Sequence, residues 1–419
     1  MTGFTQKCLA SFFSAVMLAL FLTIGASATL AQSKGYVTNA LDDTVSVIDT
    51  ATNTVTATIP VGPVPIAIAV TPNGAFVYVG NQNNSTVSVI STATKTVIAN
   101  VTVGLIPSGI AITPNGAFAY VTNQASSTVS VIDTATNNVV ATVPVGPAPF
   151  GIAITPNGAF AYVANQNMIV NSSVSVIDTT TNTVIATIPA GFGARSIAIT
   201  PNGAFVYVTN FIGGTVSVID TATNTIIATI PVGGFLGGID ITPNGAFAYV
   251  AQESGNTVSV IDTATNTITT TVPVGLAPRG VAITPNGTSA YAVNSLDNTL
   301  SVIDIATNTV TATIPVGETP LFIAFPKPQS AQDPIASLIA QVEALIAGGT
   351  LTQNQGDGLI DKLNQIRLKL DNDQTEAACN QLSSFINQVN AFVNSRALTQ
   401  TQGQSLNSAA NALKTSLGC

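Results

Sequence analysis

The sequence predicts an all-β seven-bladed β-propeller, its last blade closed by the N- and C-terminal strands, followed by a small all-α helical bundle. Two repeated phrases and one pair of complementary ends carry that expectation. The tetrapeptide TPNG begins at Thr71, Thr113, Thr155, Thr200, Thr242 and Thr284, at spacings of 42, 42, 45, 42 and 42 residues. The phrase VSVIDTATN, or a near copy, begins at Val45, Val87, Val129, Val174, Val216, Val258 and Leu300. A period of about 40–45 residues with several short strands per unit is the mark of propeller blades. The ends are complementary. The repeat region opens on a second-strand type, Tyr36-Val37-Thr38-Asn39, and closes on a first-strand type, Phe322-Ile323-Ala324-Phe325. Together they make one blade, which closes a ring and leaves no central edge open.

Composition bounds the chemistry. Of 419 residues only 7% are charged, the net charge is −8, and there is no His and no Trp. An acidic chain lacks the basic surface that phosphate backbones need, so nucleic acid is not an expected partner. Missing His removes the usual general base and the commonest metal ligand. On that ground the chain is expected not to be an enzyme, and no catalytic residue, metal or cofactor is nominated. Neither a CxxCH haem attachment signal nor a strand-to-helix GxGxxG is found.

Residues 1–31 read as a signal peptide. Lys7 is followed by an apolar run from Cys8 to Ile24, then by small residues ending at Ala28 or Ala31. The competing reading is an uncleaved membrane anchor. Removal leaves no expected integral span and a secreted, periplasmic or cell-surface product.

Within residues 35–326 each unit reads as four strands. Gly151–Ile154 is a first strand of small residues, and TPNG at Thr155–Gly158 is a tight turn in which Asn-Gly accepts positive φ. Ala159–Val163, Val174–Ile177 and Thr183–Ile188 follow as the second, third and fourth strands. The motif Tyr36-Val37-Thr38-Asn39 recurs as Tyr120-Val121-Thr122-Asn123 and Tyr207-Val208-Thr209-Asn210. These residues resemble the YVTN family of seven-bladed β-propellers. The resemblance implies a surface-layer or secreted setting and does not by itself assign a function.

Residues 327–332 read as a linker, and residues 333–419 as four helices with apolar stripes such as Leu338, Val342 and Leu345. LIAQVEALIAGGTLTQNQ at Leu338–Gln355 matches FINQVNAFVNSRALTQTQ at Phe385–Gln402, so the module is a duplicated helical hairpin. It resembles the FIMAH modules at the C-terminal ends of secreted bacterial proteins. Cys379 stands near the start of the third helix and Cys419 just past the fourth. An antiparallel pair brings those ends together, so a disulfide is expected, worth about 3–4 kcal/mol on the chain-entropy reading. Two free thiols are the alternative.

Six acids share one repeat position: Asp49, Asp133, Asp178, Asp220, Asp262 and Asp304. Blade symmetry spaces them around a rim, so turn capping is favoured over metal binding. The TPNG and DTATN turns lie on one face of the disc and are nearly uniform. The other face carries loops that differ from blade to blade, including an insertion at Asn165–Ser173. There the position at the mouth of each inner strand reads Ile66, Ser108, Phe150, Arg195, Gly237, Arg279 and Leu321. Arg195 and Arg279 are expected to contact an anionic group through the planar guanidinium fork, with Phe150, Phe211, Met168 and Ile169 adding apolar contact. Asp240 is the odd carboxylate of the inner strands. The expected function is an extracytoplasmic binding scaffold that captures a protein or cell-envelope ligand on this variable face, with the helical module for attachment or assembly. Drift in exposed loops is the bland alternative. A periplasmic propeller enzyme, lactonase-, lyase- or redox-subunit-like, is the other class.

Overall fold

The computed structural model describes residues 34–167, 172–326, 333–371 and 374–419. The proposed signal peptide, the linker at 327–332, and Met168 and Ile169 lie outside the described residues. Seven four-stranded antiparallel sheets form the disc. Blade 1 combines residues 320–324 with residues 34–60. Blades 2 to 7 span residues 65–102, 107–144, 149–189, 194–231, 236–273 and 278–315. The closing pair is the one the two chain ends require: Tyr36 lies opposite Ala324 and Val37 opposite Ile323. Lys34 Nζ, 2.5 Å from Asp49 Oδ2, ties down the first strand.

Local chemistry makes each blade. In blade 4, β12 (Pro149–Ile154) turns into β13 (Phe160–Asn165) through TPNG. There Phe160 N donates to Thr155 Oγ1 at 3.0 Å, Ala159 N donates to Asn157 Oδ1 at 3.0 Å, and Gly158 takes φ +75°. That left-handed angle is why the turn ends on glycine. β14 (Ser173–Asp178) turns into β15 (Thr183–Pro189) around Asp178, whose Oδ1 accepts from Thr180 N and Thr181 N at 2.8 and 3.1 Å. The equivalent acids do the same work, as at Asp133 and Asp262. Those bonds hold both carboxyls below the usual carboxylate range.

The core lies between blades. Tyr207, Val216 and Val218 of blade 5 pack against Leu236, Ile239 and Val250 of blade 6, and each seam repeats this pattern. Blades therefore bury both faces, while the outermost strands stay half exposed. A polar latch crosses most seams. The hydroxyls of Tyr78, Tyr120, Tyr162, Tyr207, Tyr249 and Tyr291 donate to Asn137, Asn182, Asn224, Asn266, Asn308 and Asn53 of the next blade, at 2.6–2.9 Å. Lys95 takes the Asn position in blade 2, so Tyr36 has no equivalent amide opposite it.

The C-terminal module has four helices: α1 (Asp333–Ala347), α2 (Gln353–Asp371), α3 (Thr375–Asn394) and α4 (Gln400–Ser416). Leu338, Val342, Leu363, Leu382, Phe385 and Val389 form its core. The duplication extends to the caps. Thr399 and Gln402 form a reciprocal capping box before α4, and Thr352 and Gln355 make the corresponding bonds before α2. Cys379 and Cys419 are disulfide-bonded with Cα atoms 6.1 Å apart. Among the described residues no helix is long and apolar enough to cross a membrane.

Candidate functional site at the funnel mouth

The second residue of each inner strand stands at the mouth of the central funnel, on the variable face. Three sequence-nominated residues meet there. Arg195, near the start of β16 (Ala194–Ile199), has its guanidinium carbon 5.2 Å from the Phe150 ring centroid and 4.5 Å from that of Phe211. Aromatic faces attract a cation most when water is excluded, and the Arg195 side chain is only 9% exposed. Its Nη1 donates to Glu253 Oε1 at 2.6 Å. Burial pushes the Arg195 guanidinium down from its ordinary pKa, Glu253 pulls it back up, and the nearby charge of Arg279 lowers it. The expected anion for Arg195 is thus supplied by the protein itself.

Arg279 differs. It sits near the start of β24 (Pro278–Ile283), its side chain is 42% exposed, and its Nε lies 3.8 Å from Glu253 Oε2. That Nε has no hydrogen-bond partner among the described residues. One carboxylate therefore serves two guanidiniums and leaves one of them facing the funnel. Gly237, between them in β20 (Leu236–Ile241), lets the inner strand of the next blade come close. A Cβ there would meet Arg279 O at 2.4 Å. Asp240 lies three residues further along β20, where its two oxygens accept from Ile241 N and Ile283 N at 3.0 and 2.9 Å. It bridges adjacent inner strands below the mouth.

Sequence reasoning missed two residues. Glu253 follows the Asn-equivalent end of the second strand, where other blades carry Ala40, Gln82, Gln124, Gln166, Phe211 and Ser295. It is the sole acid at that position, and this was a readable signal. Phe322 stands where other inner strands have Ala67, Gly109, Gly151, Ser196, Gly238 and Gly280. Its ring lies 6.3 Å from that of Phe150, which belongs to a blade across the ring, so the pair spans the funnel beneath the mouth. Phe235, 48% exposed, stacks on Phe211 at 5.1 Å.

The rim is preorganised. Val64, Ile106 and Thr319 take φ of +54°, +59° and +49°, a conformation costly for β-branched residues. Side chains of the neighbouring loops hold them: Val64 N donates to Asp43 Oδ1 at 2.8 Å and Thr319 N to Asn298 Oδ1 at 2.9 Å.

A closed ring of seven blades, with cations and aromatics gathered at one mouth, is the propeller architecture the repeats require. The chain belongs to the family described as "Lactonase, 7-bladed beta-propeller", matched over residues 30–148 and 177–319. Its helices match the FIMAH domain over residues 335–415. Among solved structures it is similar to Kuenenia stuttgartiensis hydrazine synthase, at 27% identity over 65% of this chain and 93% of that one, TM-score 0.62. It is also similar to a functionally unknown Desulfotomaculum acetoxidans protein, at 20% identity over 71% and 99%, TM-score 0.63. Dihydro-heme d1 dehydrogenase NirN shares the fold at 15% identity over 71% and 75%, TM-score 0.53. No curated protein matches. The expectation of a non-enzyme is corrected by these findings, since the lactonase family and the likeness to hydrazine synthase point to enzymatic relatives. The physical reason is that lacking His removes one kind of base. It does not remove carbonyl polarisation by a guanidinium.

Proposed function

We propose that the protein is an extracytoplasmic propeller enzyme that hydrolyses a cyclic ester at the funnel mouth. The observation that carries this reading is Arg279: a half-exposed guanidinium, steadied by Glu253 above the Phe150–Phe322 closure, in a chain of the lactonase propeller family. Water adds to the lactone carbonyl carbon and gives up a proton to solvent, and the carbonyl oxygen takes the developing negative charge against Arg279. The ring C–O bond then breaks, the alkoxide takes a proton back from solvent, and the product is a hydroxy acid that ionises to its carboxylate. Arg195 and Glu253 position Arg279 rather than touch the substrate. The rate should rise with pH without the inflection near 6.5 that a His base would impose. The test is to follow acid release by the full chain over a panel of γ- and δ-lactones. Turnover with no such inflection supports the reading, and no turnover on any lactone refutes it.

Likeness to hydrazine synthase at 27% identity favours a second reading, a subunit of a redox assembly. That reading requires a stable partner chain, which co-purification would reveal. The extracytoplasmic address is supported by the Cys379–Cys419 disulfide, a bond that persists in oxidising compartments. The FIMAH module is assigned to attachment or assembly.

A further inference from the structure

The funnel mouth has two unlike sectors. One carries Arg195, Glu253 and Arg279, with a net charge of one positive unit. The other carries Phe322, half-buried, packed against the buried apolar cluster of Ile66 and Leu321. The sectors adjoin at the seam between blades 7 and 1. A Cβ on Gly280 would lie 2.7 Å from Leu321 O and 3.3 Å from Phe322 Cδ1, so the inner strands of these blades are in contact. Arg279, the residue before Gly280, therefore stands beside Leu321 and Phe322. Those apolar side chains offer no hydrogen bonds to hydroxyl groups. Because Arg195 is already paired with Glu253, a second anionic group would find no second free cation in this cluster.

We infer that the substrate is an apolar lactone, and its product a hydroxy acid, with one carboxylate and an alkyl or aryl substituent rather than a polyhydroxylated one. This deepens the hydrolase reading and rests on it. The carbonyl or carboxylate meets Arg279. The substituent lies against Phe322, over the buried Ile66 and Leu321, where desolvation of its methylenes drives binding. A sugar-like ring would leave its hydroxyls unpaired over the same surface, a strong cause of rejection.

The test is calorimetric titration of the full chain with butanoate, hexanoate, octanoate, octanol and gluconate. Affinity for the acids should rise about fourfold per added methylene. In Arg279→Gln, octanoate should bind about tenfold more weakly or worse, with octanol unchanged. The half-exposed position of Arg279 lets that variant fold, and the chain-length series needs no variant at all. Gluconate binding as tightly as octanoate overturns the inference, and so does a flat chain-length series. Octanoate binding by this pattern in a chain that turns over no lactone sustains the ligand class and refutes the hydrolase.

Discussion

The two faces of the disc are built from the same repeat and do opposite things. On the TPNG and DTATN face, each turn satisfies its own backbone through Thr, Asn and Asp, and each Tyr hydroxyl reaches the next blade's Asn. On the other face the loops hold strained, pinned backbone, a guanidinium between two Phe rings, and a second guanidinium open to the funnel. The uniform face shows how the ring is stabilised, and the variable face shows what has been placed on it. Repetition marks stability, and departures from it mark the candidate site.

Three perturbations test that division, from the largest effect to the smallest. Burial pushes the phenols of Tyr78, Tyr120, Tyr162, Tyr207, Tyr249 and Tyr291 from 10.0 up to about 12. Each holds its proton more tightly folded than unfolded. Stability is therefore fully present below pH 10 and is lost as pH rises through the folded value near 12. Urea midpoints should fall over that window together with the rise of tyrosinate absorbance. Constant midpoints would deny the buried phenols a part in holding the ring.

Glu253→Ala should cost about 3–5 kcal/mol, because it leaves the buried Arg195 charge without its partner. Asp220→Ala, which removes a turn acceptor for Thr223 N on the other face, should cost about 1 kcal/mol. Equal losses in urea denaturation would erase the contrast between the faces. Changes to single latches are smaller than the Glu253 loss. Tyr120→Phe removes the bond to Asn182 and should cost about 1–2 kcal/mol. Lys95→Asn should gain about 1 kcal/mol, by supplying an amide opposite Tyr36 and by placing Asn at φ +56°. A destabilised Lys95→Asn would mean that this seam differs in more than the missing amide.

Most of the fold was legible because repetition removes ambiguity. TPNG has one economical conformation, and its recurrence marks every first hairpin. The partial ends at Tyr36 and Phe325 admit one closure, which Val37 opposite Ile323 confirms. The disulfide was legible from helix phase and address. The site was legible in part. Arg195, Arg279, Phe150 and Phe211 were found as departures from the repeat at or beside the funnel mouth. The pairing of Arg195 was not legible, because it depends on Glu253, which lies in another blade 58 residues away. Sequence spacing does not report which side chains cross a ring. Asp240 likewise looked chemical by its rarity, and its two backbone bonds give it a structural role.

The most direct measurement is kcat/KM for a medium-chain lactone in the full chain, compared among wild type, Arg279→Gln and Asp220→Ala. Arg279→Gln should lower kcat/KM by about 100-fold, as losing one preorganised oxyanion donor does, and Asp220→Ala should leave it unchanged. Undiminished turnover in Arg279→Gln, or a loss confined to Asp220→Ala, would contradict the placement of chemistry on the variable face.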